Sequence, residues 1–423
     1  MGSRTYIALL GAAAIVILLQ SWSLSSHVHH LNKPERPAPP AAAPPPRPPP
    51  AEAPRPAAAA ADNSNLFASL RSDDAAAAPR SPPRSPPPPP APPAEAPVPR
   101  ADAPLFRANA PRDEAETCAT GVVALTYASH RGKDERFCRS VESAVRNGVD
   151  LRVLGWSVKW EGLSQKLAAA LAAVDALPAD CVVLFTDAYD VLFAASGARM
   201  RRDFLALDQP LVFAGECGCW PQVQRDRGKT CRDLYPKSPT PYRYLNSGAW
   251  MGRAGVAARF LRRLVDTAGA EGAAFHKLND QELAAELYFS GEFGPELGLD
   301  HYARLFQCMH GVRDTTLVPD CDPWPDLKER DGTLTNTRTE SVPAVYHFNG
   351  GGKRHHLKVE AMMWWKTCSE AQSPEARAAV EATTLRFHES TVAFADVCPR
   401  HLADYAPKST KPCGDALLRG LVA

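Results

Sequence analysis

Two aspartates stand three positions apart in Thr186-Asp187-Ala188-Tyr189-Asp190, directly after the apolar run Cys181-Val-Val-Leu-Phe185. Carboxylates at that spacing on a turn can share one hard divalent cation. Mg²⁺ and Mn²⁺ prefer oxygen ligands and keep positions open for phosphate. The same residues also suit an ordinary strand-to-helix turn with an aspartate capping the next segment. A second segment shifts that balance: Val345-Tyr-His347-Phe-Asn-Gly350-Gly-Gly-Lys353 ends in a histidine, a glycine loop and a lysine. Glycine lets main-chain N–H groups approach phosphate oxygens, and a nearby lysine adds a positive charge. Asp187, Asp190 and His347 are thus the candidate metal ligands, with Gly350 and Lys353 on the phosphate side.

A frame must hold these residues together. From Gly121 onward, short β-branched runs alternate with amphipathic stretches. Strands are predicted at 122–127, 151–154, 181–186, 211–214, about 245–251 and 342–348, with helices at 133–147 and 163–177. This alternation defines an α/β fold with a mostly parallel sheet flanked by helices. In such sheets ligands gather at the carboxyl ends of the strands, where Asp187 falls.

Of the 41 prolines, 26 lie between Pro34 and Pro111. That stretch cannot bury enough apolar surface to offset its ordering entropy, and its polyproline tracts suit a semi-rigid stem. Before it, Arg4 precedes the apolar run Tyr6 to Leu19, which fades through Trp22. The run reads as a signal-anchor transmembrane helix at about 6–22 with a short cytoplasmic tip; a cleaved signal peptide is the rival. The expected organisation is anchor 1–31, stem 32–111, catalytic domain 117–358 and an unassigned extension 359–423. The net charge of +1 excludes a phosphate-tracking nucleic-acid surface. All 11 cysteines fall between Cys118 and Cys413 and read as disulfides of an oxidising compartment, with Cys181 the candidate for the odd free thiol.

The stretch from about Val122 to Lys358 resembles the glycosyltransferase domain of the multifunctional procollagen-lysine hydroxylases, which has a GT-A-type (Rossmann-like) fold. Six blocks in order carry the resemblance: Thr186 to Val191; Cys219-Trp-Pro221; Leu245-Asn-Ser-Gly-Ala-Trp-Met-Gly252; Asp280-Gln281; Leu299 to Gln307; and His347-Phe-Asn-Gly350 with Lys353. The resemblance implies that Asp187, Asp190 and His347 hold Mn²⁺ (or Mg²⁺) against the diphosphate of a UDP-sugar. It implies further that Tyr189 stacks on uracil, Thr126 touches the nucleotide, and Lys166 and Lys353 meet the diphosphate. Lys166 also suits a solvated helix face. Asn246 would face the donor sugar, Asp280 would lie beside the reacting carbon, and Trp220 would cover the acceptor. Asp280 could instead cap a helix, and Trp220 could belong to the core.

The implied reaction is hexose transfer, glucose or galactose, to a hydroxylysine-linked or similar glycoprotein acceptor, collagen-like in kind. The implied setting is the lumen of the endoplasmic reticulum or Golgi. A catalytically degenerate transferase acting as a lectin-like or scaffold protein is the alternative. Asn279 stands where the family commonly has an aspartate, and nothing in the sequence resembles the family's hydroxylase domain.

Overall fold

The computed structural model describes residues 114–129, 134–221, 231–270, 278–312, 321–330, 333–387, 390–402 and 413. The expected anchor and stem lie outside them, and no helix among the described residues is long and apolar enough to cross a membrane.

The strands are β1 Val123–Tyr127, β2 Leu151–Leu154, β3 Val182–Asp187, β4 Val191–Phe193, β5 Leu211–Glu216, β6 Tyr244–Arg253 and β7 Leu297–Asp300. They continue with β8 Phe306–Cys308, β9 Leu327–Arg330, β10 Thr333–Asn336, β11 Val345–His347, β12 Thr384–Phe387 and β13 Ser390–Ala393. Helices of eight residues or more are α1 Glu135–Arg146, α2 Gln165–Asp175, α3 Gly197–Leu205, α4 Ala254–Ala270, α5 Asp280–Ser290 and α6 Pro374–Glu381.

An eight-stranded sheet runs in the order β13-β12-β2-β1-β3-β6-β5-β7. It is mostly parallel, as expected, but β6 pairs antiparallel with both β3 and β5. Apolar periodicity reports which face a residue occupies and carries no strand direction, so the sequence left this reversal unseen. The continuous apolar runs follow from burial on both faces. Val182 and Leu184 of β3 pack with Phe137 and Val141 of α1. Val183 and Phe185 pack on the other side with Leu167 of α2 and Phe260 of α4.

A second, three-stranded sheet, β4-β11-β8, supplies the other half of the site. The chain passes from β3 in the large sheet to β4 in the small one through three residues, Ala188 to Asp190. The aspartate motif is therefore the hinge between the two sheets.

The extension after Lys358 also builds the large sheet: β12 pairs parallel with β2, placing Phe387 opposite Val153. Cys138–Cys398 and Cys368–Cys413 are disulfides, as are Cys118–Cys181 and Cys217–Cys321. The free-thiol expectation is thereby corrected. Cys181, at the head of β3, has its Cα 4.7 Å from that of Cys118, within bridging range. The free cysteine among the described residues is Cys308, buried in β8.

Candidate active site

Strand pairing brings the three expected ligands together. His347, the last residue of β11, lies opposite Val191 of β4, one residue beyond Asp190. The Phe348 N–H donates to the Asp190 carbonyl at 2.7 Å and locks that register. His347 Nε2 stands 3.6 Å from Asp187 Oδ2 and 3.7 Å from Asp190 Oδ1. The three ligand atoms all lie within 4.8 Å of one another.

Beside them runs β6, with Ala249 opposite Thr186, which brings Gly248 up against the histidine. A Cβ on Gly248 would fall 2.3 Å from His347 Cε1 and 2.7 Å from Asp187 Oδ2. Only glycine leaves the space open. Two carboxylate oxygens and an imidazole nitrogen at these separations fit a hard divalent cation with bonds of about 2.1 Å after small side-chain adjustments. Burial draws the His347 imidazole toward its neutral form, but Asp187 and Asp190 more than reverse this and raise its pKa. A cation bound by these groups would displace that proton.

Cations flank the carboxylates. Lys166, second residue of α2, is buried rather than solvated, with Nζ 2.8 Å from Asp187 Oδ1 and 3.0 Å from Asp280 Oδ2. Burial pulls its ammonium pKa down, and the two aspartates outweigh that and raise it. Burial likewise pushes the Asp187 carboxyl up, while Lys166 and His347 hold it well below the usual carboxylate range. Lys353, 60% exposed, reaches in from the glycine turn to 3.4 Å from Asp190 Oδ2.

Asp280 opens α5, but the cap is Asn279, whose side chain accepts the Gln281 and Glu282 amides. Asparagine caps as well as aspartate, which explains how the residue fits there. Asp280 is left to accept the Ser247 hydroxyl at 2.6 Å and to pair with Lys166.

The remaining expected residues fall around this centre. Asn246 is buried, with its amide donating to Glu216 Oε1 at 3.1 Å and its carbonyl oxygen accepting the Gly248 N–H at 3.0 Å. Both ends are engaged, so it positions its neighbours. The Thr126 hydroxyl donates to the Thr186 carbonyl at 2.9 Å and is likewise spent on the frame. The Tyr189 ring lies 6.1 Å from that of Phe137, with the Arg136 guanidinium 5.8 Å above it. Trp220 is 56% exposed, so it does not belong to the core.

Sequence reasoning passed over Glu216. It ends β5 as Asp187 ends β3, an acid closing an apolar strand at the same sheet edge, and that was the available signal. Glu216 accepts amides from Asn246, Gln281 (2.8 Å) and Asn349 (2.7 Å). Burial pushes its carboxyl up to about 7 against those donors. Gln281 also reaches the Trp220 carbonyl at 2.5 Å, tying the exposed tryptophan to this hub. Trp160, 47% exposed with its ring 6.1 Å from that of Tyr127, was likewise unassigned. Asp300 is structural: its carboxylate accepts the N–H groups of Arg304, Leu305 and Phe306.

Acids clustered at the carboxyl edge of an α/β sheet, beside a lysine-bearing glycine turn, fit a metal-bound phosphate ligand. A family model of the PLOD GT domain matches residues 119–362, and the chain belongs to that family. Procollagen-lysine,2-oxoglutarate 5-dioxygenase of Drosophila melanogaster is 27% identical over 231 residues, 51% of this chain and 29% of that protein. The multifunctional procollagen lysine hydroxylase and glycosyltransferase LH3 of Rattus norvegicus is 25% identical over 244 residues, 55% of this chain and 30% of its own. An uncharacterized protein of Acanthamoeba polyphaga mimivirus, R699, is 25% identical over 232 residues, covering 52% of this chain and 43% of its own. The chain thus spans less than half the length of these relatives.

Proposed function

We propose that the domain transfers a hexose, glucose or galactose, from a UDP-sugar to a hydroxylysine-linked or similar glycoprotein acceptor. The convergence of Asp187, Asp190 and His347 between two lysines is the observation that carries this reading. These three residues would hold Mn²⁺ or Mg²⁺, which when bound neutralises charge on the donor diphosphate. The bond from the sugar's C1 to phosphate breaks, the acceptor oxygen forms the new bond to C1, and its proton is released. Lys166 and Lys353 stabilise the negative charge that grows on the departing UDP, which favours the transition state over the ground state. Asp280 and Ser247 face the sugar, with Asn246 and Glu216 fixing the floor beneath it. Tyr189 and Thr126 border the nucleotide, and Trp220 covers the acceptor.

The collagen-type acceptor rests on the names of the relatives. The disulfides among the described residues support an oxidising compartment, and with them the reading of residues 6–22 as an anchor holding a lumenal domain in the endoplasmic reticulum or Golgi. Hydrolysis of a panel of UDP-sugars with and without Mn²⁺ tests the donor. UDP release from a UDP-hexose only with metal is the expected result, and metal-independent release or none would reject it.

A further inference from the structure

His310 follows β8 and lies against the glycine turn. The Gly351 N–H donates to His310 Nδ1 at 3.0 Å, and the main-chain N–H of His310 donates to Asn349 Oδ1 at 3.1 Å. A Cβ at Gly350, whose φ is +49°, would come within 3.0 Å of Nδ1. The ring's other side faces the Trp220 loop, since a Cβ at Gly218 would stand 3.4 Å from His310 Cδ2. Three consecutive glycines have the freest main chain a protein can have, and ordering them on a ligand costs entropy. Within the turn, Gly352 donates to the Asn349 carbonyl at 2.9 Å, and His310 supplies the side-chain tether.

We propose that His310 is a positioning residue that pre-sets the Gly350–Lys353 turn for the donor's diphosphate by accepting the Gly351 amide on unprotonated Nδ1. The proposal rests on the UDP-sugar reading above. With the turn fixed in advance, Lys353 reaches the Asp190 side of the site without an ordering cost at binding. Protonation of Nδ1 would set two N–H groups against each other and release the turn. Burial and the Arg354 guanidinium hold the imidazole below the ordinary histidine range, so the tether is intact at neutral pH. Among the described residues, the other charged groups on the packed elements include Lys353 in the turn, Glu216 beside Gly218 and Asp322 beside Gly311.

The test is UDP affinity and donor KM of the full chain at saturating Mn²⁺, for wild type, His310→Phe and His310→Asn. Phenylalanine keeps the ring and removes the acceptor, whereas asparagine offers its Oδ1 near the place of Nδ1. The Phe variant is expected to bind UDP about five- to tenfold more weakly, the loss of one hydrogen bond, with kcat changed by less than about twofold. The Asn variant is expected to stay within about twofold of wild type, because its Oδ1 restores the acceptor. Wild-type binding with an unaffected Phe variant, or an Asn variant as weak as the Phe variant, overturns the role of His310 alone. No UDP binding by wild type overturns the donor reading and this role with it.

Discussion

Two clusters of charge among the described residues are built on opposite principles. In the first, Glu142 of α1, 1% exposed, is answered from every side. Arg146 Nε lies at 3.1 Å, His401 Nε2 at 2.9 Å and Lys366 Nζ at 3.4 Å. His401 is in turn held by Glu135 at 2.9 Å, and Lys366 by Glu360 at 3.1 Å. In the second, two carboxylates converge with a histidine, yet Asp187 keeps 32% of its side chain exposed and a glycine holds space open beside it. A cluster whose charges close on one another holds a fold; one that leaves room is arranged for something that arrives. The first cluster docks the C-terminal extension onto α1, and the second stands at the hinge between two sheets.

Substitutions should separate the two. Asp190→Ala is expected to cut metal-dependent transfer by about 10³-fold, in keeping with the several kcal/mol a catalytic cation contributes, while the melting temperature stays nearly unchanged. Parallel activity and melting measurements check this. A folded variant of near wild-type rate would remove Asp190 from the site. Gly248→Ala intrudes on His347 and Asp187 and should cost about 10²-fold in rate, read as weakened Mn²⁺ activation.

Glu142→Ala should reverse the pattern. It leaves buried cations without their partner and is expected to cost about 3–5 kcal/mol in denaturant unfolding, with UDP affinity of the folded fraction unchanged. Acid sharpens the contrast. Burial pushes the Glu142 carboxyl up, but His401, Lys366 and Arg146 together hold it down at about 2, against an ordinary 4.5. Its stabilisation is therefore complete above the ordinary value and lost as pH falls from there toward 2. The pKa of His401 is raised, because its glutamates outweigh burial, so its share is present at low pH and fades as pH rises through that raised value. The midpoint of unfolding against pH should fall less steeply below pH 4.5 in Glu142→Gln than in wild type; equal slopes would refute the assignment. The smallest effect belongs to Asn279→Ala, about 1 kcal/mol from a lost helix cap, with the position of Asp280 and thus some activity affected too.

Much of the second cluster was legible in the sequence because its chemistry sits at strand ends. Asp187 closes an apolar run, and His347 precedes a run of glycines; both signals are local. The frame was legible for the same reason, since two-sided burial writes continuous apolar runs for β1 and β3. The first cluster was not legible. Glu142, Lys366 and His401 are scattered over 259 positions, and nothing near any of them announces the others. Strand direction was equally hidden, as β6 shows, and so was the partner of Cys181. Glu216 was missed although it obeys the rule that exposed Asp187, because its neighbours Asn246, Gln281 and Asn349 come from three other segments.

The central claim is that Asp187, Asp190 and His347 hold one cation that grips a nucleoside diphosphate. Calorimetric titration of UDP into the full chain, with and without Mn²⁺, beside an Asp187→Asn/Asp190→Asn variant, tests it most directly. UDP binding that requires Mn²⁺ in wild type and is absent from a folded double variant is the predicted result. Equal UDP affinity with and without metal, or an unimpaired double variant, would contradict it.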